Sequence, residues 1–248
     1  MPILSYPDMS NSIVACGQEI DIGCRVVKWS EPTGFSFYSG RKYAGRNIDL
    51  EKLRQEIKTC VLQHSNTYTA KQAYVSLITR GASVNFIIDD DNYKGFATIY
   101  QCLDIKDAGL SHAPLNQNGP GIQISYHAVV SNMAQAYSLI NQQKYGVKNH
   151  VIVEDQVHGK RITSFCPSEA QVNSCVALLS GITKIFPDIP PYFPHDSYGK
   201  VIKTFIPNPE NYRGLLANFH ISRGKNDPSG FPFDQVEAQV STDLLFSD

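Results

Sequence analysis

An imidazole, an ammonium and a carboxylate share one short loop of this chain. His220, Lys225 and Asp227 lie in the run NFHISRGKNDPSGFPF, residues 218–233, which Pro228 and Gly230 close. Imidazole and carboxylate are both good zinc ligands, and a hydrolytic zinc centre takes three protein ligands and leaves a fourth position to water. A nearby ammonium would stabilise an oxyanion forming on that face. A solvated polar loop carries the same residue types, so the metal reading needs a ligand from elsewhere.

That ligand is sought in the segment TCVLQHSNTYTAKQAYVSLITRGASVNFIIDDDNYKG, residues 59–95. Cys60, Val61 and Leu62 form a short apolar run that reads as a buried strand, which places His64 at its C-terminal mouth. Ala70, Ala73, Tyr74, Leu77 and Ile78 recur at the spacing of an amphipathic helix, with Thr69 as its cap and Gly81 at its end. Val84, Phe86, Ile87 and Ile88 make a second strand, turned by the cluster Asp89, Asp90, Asp91 and Asn92. A further strand is expected at about residues 97–103.

The order strand, His, loop, helix, Arg-Gly, apolar strand, acidic turn and then IYQCLDIKDAGLSHA resembles the zinc-dependent N-acetylmuramoyl-L-alanine amidases (amidase type 2). Phage lysozyme-amidases and peptidoglycan recognition proteins share their fold. The likeness spans roughly residues 58–124 and 214–233, and the ordered set of motifs carries it rather than any one of them. It implies zinc held by His64, His220 and Asp227, with Lys225 two residues before the last ligand stabilising the oxyanion. The segment LSHAPLNQNGPGIQI resembles the family's Trp-His-Ala and Gly-Ile-Glu stretches, which maps substrate contacts onto His112 and Asn118 and the general base onto Gln123. The implied reaction is hydrolysis of the lactyl-to-L-alanine amide of peptidoglycan or a muropeptide by zinc-bound hydroxide. His195, in the stretch FPDIPPYFPHDSYG, is the rival for the second zinc position; the Lys-x-Asp-Pro that follows favours His220.

Gln123 departs from the pattern, because an amide cannot take a proton from the zinc-bound water as the family's glutamate does. The tyrosine that assists in other branches would fall near Val84. Three readings remain open: another group supplies the base, the chain binds wall fragments without cutting them, or Gln123 is an engineered isosteric replacement. A non-catalytic peptidoglycan-binding module is therefore the alternative to the enzyme.

The expected fold is α/β, a central mixed sheet flanked by helices, with an N-terminal extension (1–45) packed on an amidase-like domain (46–248) that carries an insertion at about 128–213. Within the insertion, Ser168 and Gln171 form a capping box for a helix that Pro187 stops. The aromatic residues Trp29, Phe35, Phe37, Tyr38 and Tyr43 could stack on sugars, cover a sheet edge or simply fill core.

With 248 residues, 42% hydrophobic and 18% charged, the chain can bury one sizeable core or two small ones. A net charge of −1 gives no electrostatic case for nucleic acid or an anionic membrane. No stretch approaches the roughly 18 apolar residues of a membrane span, and no secretory leader is visible. A wall-acting protein of this kind would be delivered by a phage particle or secretion device, would recycle muropeptides inside the cell, or would have lost its leader. A monomer is expected. The six cysteines contain no C-x-x-C, which favours free thiols. Serine hydrolase chemistry lacks a G-x-S-x-G elbow, and Gly40 to Arg46 lacks the Lys-Ser/Thr end of a phosphate loop.

Overall fold

Cys60, Val61 and Leu62 occupy the middle of β4 (Thr59–His64), whose first five residues are buried. Such an uninterrupted apolar strand belongs where a sheet is covered on both faces. The computed structural model describes residues 10–38, 43–111, 115, 118–124, 129–130, 135, 138 and 150–245, with the backbone alone at 123–124, 129–130 and 245.

Six strands form the main sheet in the order β11-β4-β7-β5-β6-β3. They are β3 (Val26–Lys28), β4, β5 (Phe86–Ile88), β6 (Ile99–Gln101), β7 (Gly121–Ile124) and β11 (Gly214–Ala217). The pairings are parallel except between β5 and β6, so the mixed sheet expected from the sequence is present. Successive side chains alternate faces. Cys60, Leu62, Phe86, Ile88, Ile122 and Leu215 accordingly pack with α3 (Glu169–Ile185) and α5 (Phe233–Leu245) in the main core. On the other face Ile87 packs with Ala70, Ala73 and Leu77 of α2 (Ala70–Thr79), and Val61 with Leu216 and Ile221. Truncating Leu62, which is fully buried, to alanine would cost about 2–5 kcal/mol.

The helices begin where their caps predict. Thr69 Oγ1 accepts the Gln72 N–H at 3.2 Å, and Asp89 Oδ1 accepts the Ala70 N–H at 2.7 Å. At α3 both halves of the Ser168–Gln171 capping box are formed, and the Gln171 side chain also donates to the Asp89 carbonyl, tying the helix to the acidic turn. The α3 C-cap is Phe186, directly before Pro187.

The N-terminal segment does more than lie against the sheet. After the hairpin of β1 (Ser12–Ala15) and β2 (Gln18–Asp21), Val26–Lys28 enters the main sheet as the edge strand beside β6. The Asp104 carboxylate accepts the N–H groups of Cys16 and Gly17, both at 2.8 Å, and Asp107 accepts the Tyr38 hydroxyl at 2.6 Å. The aromatic residues of this segment pack on one another and on α2: Phe35 stacks on Tyr74 and Tyr100, and Trp29 meets Tyr38 edge-on.

A second, three-stranded antiparallel sheet is ordered β8-β10-β9, from β8 (Val129–Val130), β9 (Ile152–Val157) and β10 (Lys160–Phe165). Its β9–β10 hairpin turns on His158 and Gly159, both with positive φ (53° and 73°), the geometry of a two-residue primed turn. All six cysteines are free. Among the described residues no helix is long and apolar enough to cross a membrane. A one-turn helix α4 (Asn218–Ile221) and α1 (Leu50–Glu56) complete the elements used below.

Candidate functional site

The C-terminal ends of β4, β7 and β11 lie side by side. Leu62 is in register with Ala217, and Gln63 with Gln123. The residue that follows β11, Asn218, is thus level with Gln63. Gln63 shares the Val61 face by alternation and is 5% exposed; Asn218 is 3% exposed. Asn218 Nδ2 donates to Gln63 Oε1 at 3.5 Å and to Asp227 Oδ2 at 2.9 Å. Gln63 Nε2 in turn donates to Ser111 Oγ at 3.1 Å. Among the described residues, the side chains of Gln63, Asn218 and Asp227 converge at the mouth, with Ser111 bonded to Gln63.

Asp227 reaches this place through its backbone. Its carbonyl accepts the Phe219 N–H at 3.0 Å, which folds residues 222–227 back onto the start of α4. The hairpin β9–β10 braces the loop from behind. His158 Nε2 donates to the Lys225 carbonyl at 2.8 Å, Asp155 Oδ2 accepts the Gly230 N–H at 2.9 Å, and Ser164 and Ser229 share a 2.6 Å hydroxyl contact. Burial raises the Asp155 pKa, but the Lys203 ammonium 2.7 Å away and the Gly230 N–H outweigh it and hold the carboxyl below its ordinary value. A methyl group at Gly230 would meet the Phe165 carbonyl at 3.0 Å, so the loop and the hairpin are in close contact there.

The structure gives one of the three expected zinc ligands another role. His220 is fully buried and both its ring nitrogens serve the main chain: Nδ1 accepts the Ala217 N–H at 2.9 Å, which leaves Nε2–H to donate to the Ile202 carbonyl. Neither nitrogen offers a lone pair to an ion. Burial pushes its pKa down to about 4 against the opposing Ile202 bond, which keeps the ring neutral. His64 is one residue out of phase with Gln63. Alternation along β4 assigns it to the Cys60 and Leu62 side of the sheet.

Asp227, a further expected ligand, lies at the mouth through its bond to Asn218. Lys225 lies on the same loop with an exposed side chain, its N–H donating to the Ser222 carbonyl at 3.1 Å. Asn118 is at the wrong end of the strands for a substrate contact: its carbonyl accepts the N–H groups of Lys58 and Thr59, four residues and roughly 13 Å of strand before Gln63. There its backbone fixes the start of β4, and a methyl group at neighbouring Gly119 would fall 1.4 Å from the Thr59 carbonyl oxygen. His112 and the Gln123 side chain lie outside the described residues. His195 pairs with Glu237 at 3.0 Å.

Zinc does not fit this donor set. Among the described residues no three His, Cys, Asp or Glu side chains gather closely enough to hold an ion. Among the described residues the mouth presents two carboxamides and one carboxylate, already joined by hydrogen bonds. Gln63 and Asn218 are the site residues that motif reading misses. What identifies them is the observed register of β4 with β7 and β11, which the sequence pattern does not fix.

No protein-family model matches the sequence, and no curated protein does. Among solved structures, the hydrolase AmiA of Staphylococcus aureus, in complex with its ligand, superposes with a TM-score of 0.50 at 10% identity, over 90% of this chain and 85% of that one. The chain has the amidase-type fold. AmiD of E. coli, in complex with the substrate anhydro-N-acetylmuramic acid-L-Ala-D-gamma-Glu-L-Lys, gives 0.48 at 14% identity over 92% of this chain. The chain spans 65% of the length of that relative. N-acetylmuramoyl-L-alanine amidase LysC of Clostridium intestinale gives 0.46 at 13% identity, over 88% of this chain and 98% of that one. At these identities the likeness is one of fold, and the chemistry of the mouth has to be argued from its own side chains.

Proposed function

We propose that this chain binds muropeptides or peptidoglycan at the mouth of β4, β7 and β11 and does not hydrolyse them. The observation that carries the reading is the hydrogen-bonded set Gln63, Asn218 and Asp227 where a hydrolytic centre needs free ligands. Water not bound to a metal keeps a pKa near 15.7, and nothing among the described residues of the mouth would generate hydroxide at neutral pH. What it does offer is recognition chemistry. The Asn218 carbonyl oxygen, the second Gln63 N–H and the Asp227 carboxylate supply acceptors and a donor for the amide and hydroxyl groups of a sugar-linked peptide. The brace from the β9–β10 hairpin holds the carboxylate in place before a ligand arrives, which lowers the ordering cost of binding.

Calorimetric titration of the chain with a soluble muropeptide tests this. Binding should survive chelator unchanged, and Asp227→Ala should weaken it roughly tenfold, the loss of one charge-assisted hydrogen bond worth about 1.5 kcal/mol. No heat of binding at millimolar muropeptide, or a ligand recovered as separate sugar and peptide, would overturn the proposal.

A further inference from the structure

The spacing of the three converging atoms has a meaning of its own. Around a tetrahedral zinc with bonds of about 2.0–2.1 Å, neighbouring ligand atoms stand roughly 3.3 Å apart. Asn218 Nδ2 lies 2.9 Å from Asp227 Oδ2 and 3.5 Å from Gln63 Oε1, values that bracket that edge length. We infer that Gln63, Asn218 and Asp227 form a cation-free counterpart of a three-ligand metal centre, in which amide N–H···O bonds span the edges between ligand positions. Bond counting supports the correspondence. The asparagine amide nitrogen is two bonds from Cβ, as imidazole Nδ1 is, and the glutamine terminal atoms are three bonds from Cβ, as Nε2 is.

The substitutions Gln63→His and Asn218→His would then replace two satisfied amides with two ligand nitrogens beside an existing carboxylate, without moving the backbone. The supporting frame is untouched, because His220, His158 and Asp155 act through main-chain bonds. The inference shares its site with the proposed function but not its premise, since a chain that ignores muropeptides could still accept the ion.

The test measures zinc by chelator competition and cobalt by its visible absorption, in the full chain, with circular dichroism as the check on folding. The parent should bind neither ion stoichiometrically. The double variant should bind one equivalent at least 100-fold more tightly, with tetrahedral cobalt bands, and adding Asp227→Ala should abolish the gain. A folded double variant that binds no better than the parent would overturn the inference, as would a parent that takes up one equivalent of zinc lost in Asp227→Ala. If the double variant does not fold, the parent decides. A melting temperature indifferent to zinc supports the inference, and one raised by zinc through Asp227 refutes it.

Discussion

Lowering the pH from 7.5 to 4.5 should draw stability out of this protein through His220. Its folded pKa is depressed to about 4 by burial, against an unfolded value near 6.5. Above pH 6.5 the ring is neutral in both states and contributes nothing to the pH dependence. Below it the unfolded chain takes up a proton that the folded ring refuses, so stability falls as pH drops towards the folded value. Two pH units at 1.36 kcal/mol each give a loss of about 2.5–3 kcal/mol by pH 4.5, a large part of a typical 5–15 kcal/mol. His150 works in the opposite sense. Burial alone would lower its pKa, but its bonds to Asp90, at 3.0 and 3.1 Å, and to the Cys166 carbonyl raise it, so its stabilisation is present below pH 6.5 and is lost as pH rises through the folded value.

A comparison with His220→Phe removes that competing term. The variant leaves the Ala217 N–H and the Ile202 carbonyl buried and unsatisfied, which costs about 2–6 kcal/mol at pH 7.5. Urea unfolding of both proteins at the two pH values reads the difference. The wild type should be the more stable at pH 7.5, and the gap should shrink by about 2.5–3 kcal/mol at pH 4.5. A gap constant to within about 0.5 kcal/mol would refute the assignment of His220 as a neutral, doubly bonded core histidine.

Three further outcomes are expected. The His150 imidazole should titrate above pH 6.5 by proton NMR, and Asp90→Asn should lower its midpoint; an unchanged midpoint would mean that the buried pair does not set the charge. Ser168→Ala should cost about 1 kcal/mol in thermal or urea unfolding by opening the α3 capping box, whereas a loss below about 0.3 kcal/mol would show the cap to be redundant. Gln123→Glu places a carboxylate on β7, yet it should release no peptide from muropeptides with zinc present, because Gln63 and Asn218 still lack ligand nitrogens; measurable turnover in that variant would contradict the site described above.

Elements set by local chemistry were legible in the sequence. The capping box at Ser168, the Thr69 cap, the stop at Pro187 and the apolar runs of β4 and β5 depend on residues within a few positions of one another. The site depended on information that local chemistry does not contain. A strand buried on both faces has no polar alternation to fix its parity, so Gln63 and His64 cannot be told apart by pattern, and a slip of one residue exchanges the faces. His220 sits in a helix of four residues, too short to show a period, where its side chain caps the N–H of Ala217. The loop motif ending in Asp-Pro drew attention to Asp227, which accepts a hydrogen bond from Asn218, whereas the neighbouring imidazole of His220 turns to the main chain at Ala217 and Ile202. Strand β3 is three residues long, and the β9–β10 hairpin turns on His-Gly rather than Asn-Gly or Asp-Gly, so neither stood out from its surroundings.

Incubating purified sacculi with the chain, in parallel with zinc and with chelator, tests the central claim most directly. The account predicts that the protein sediments with the sacculi under both conditions and that no new L-alanine amino terminus appears in the supernatant or the wall. Zinc-dependent release of such termini, abolished by chelator, would contradict it.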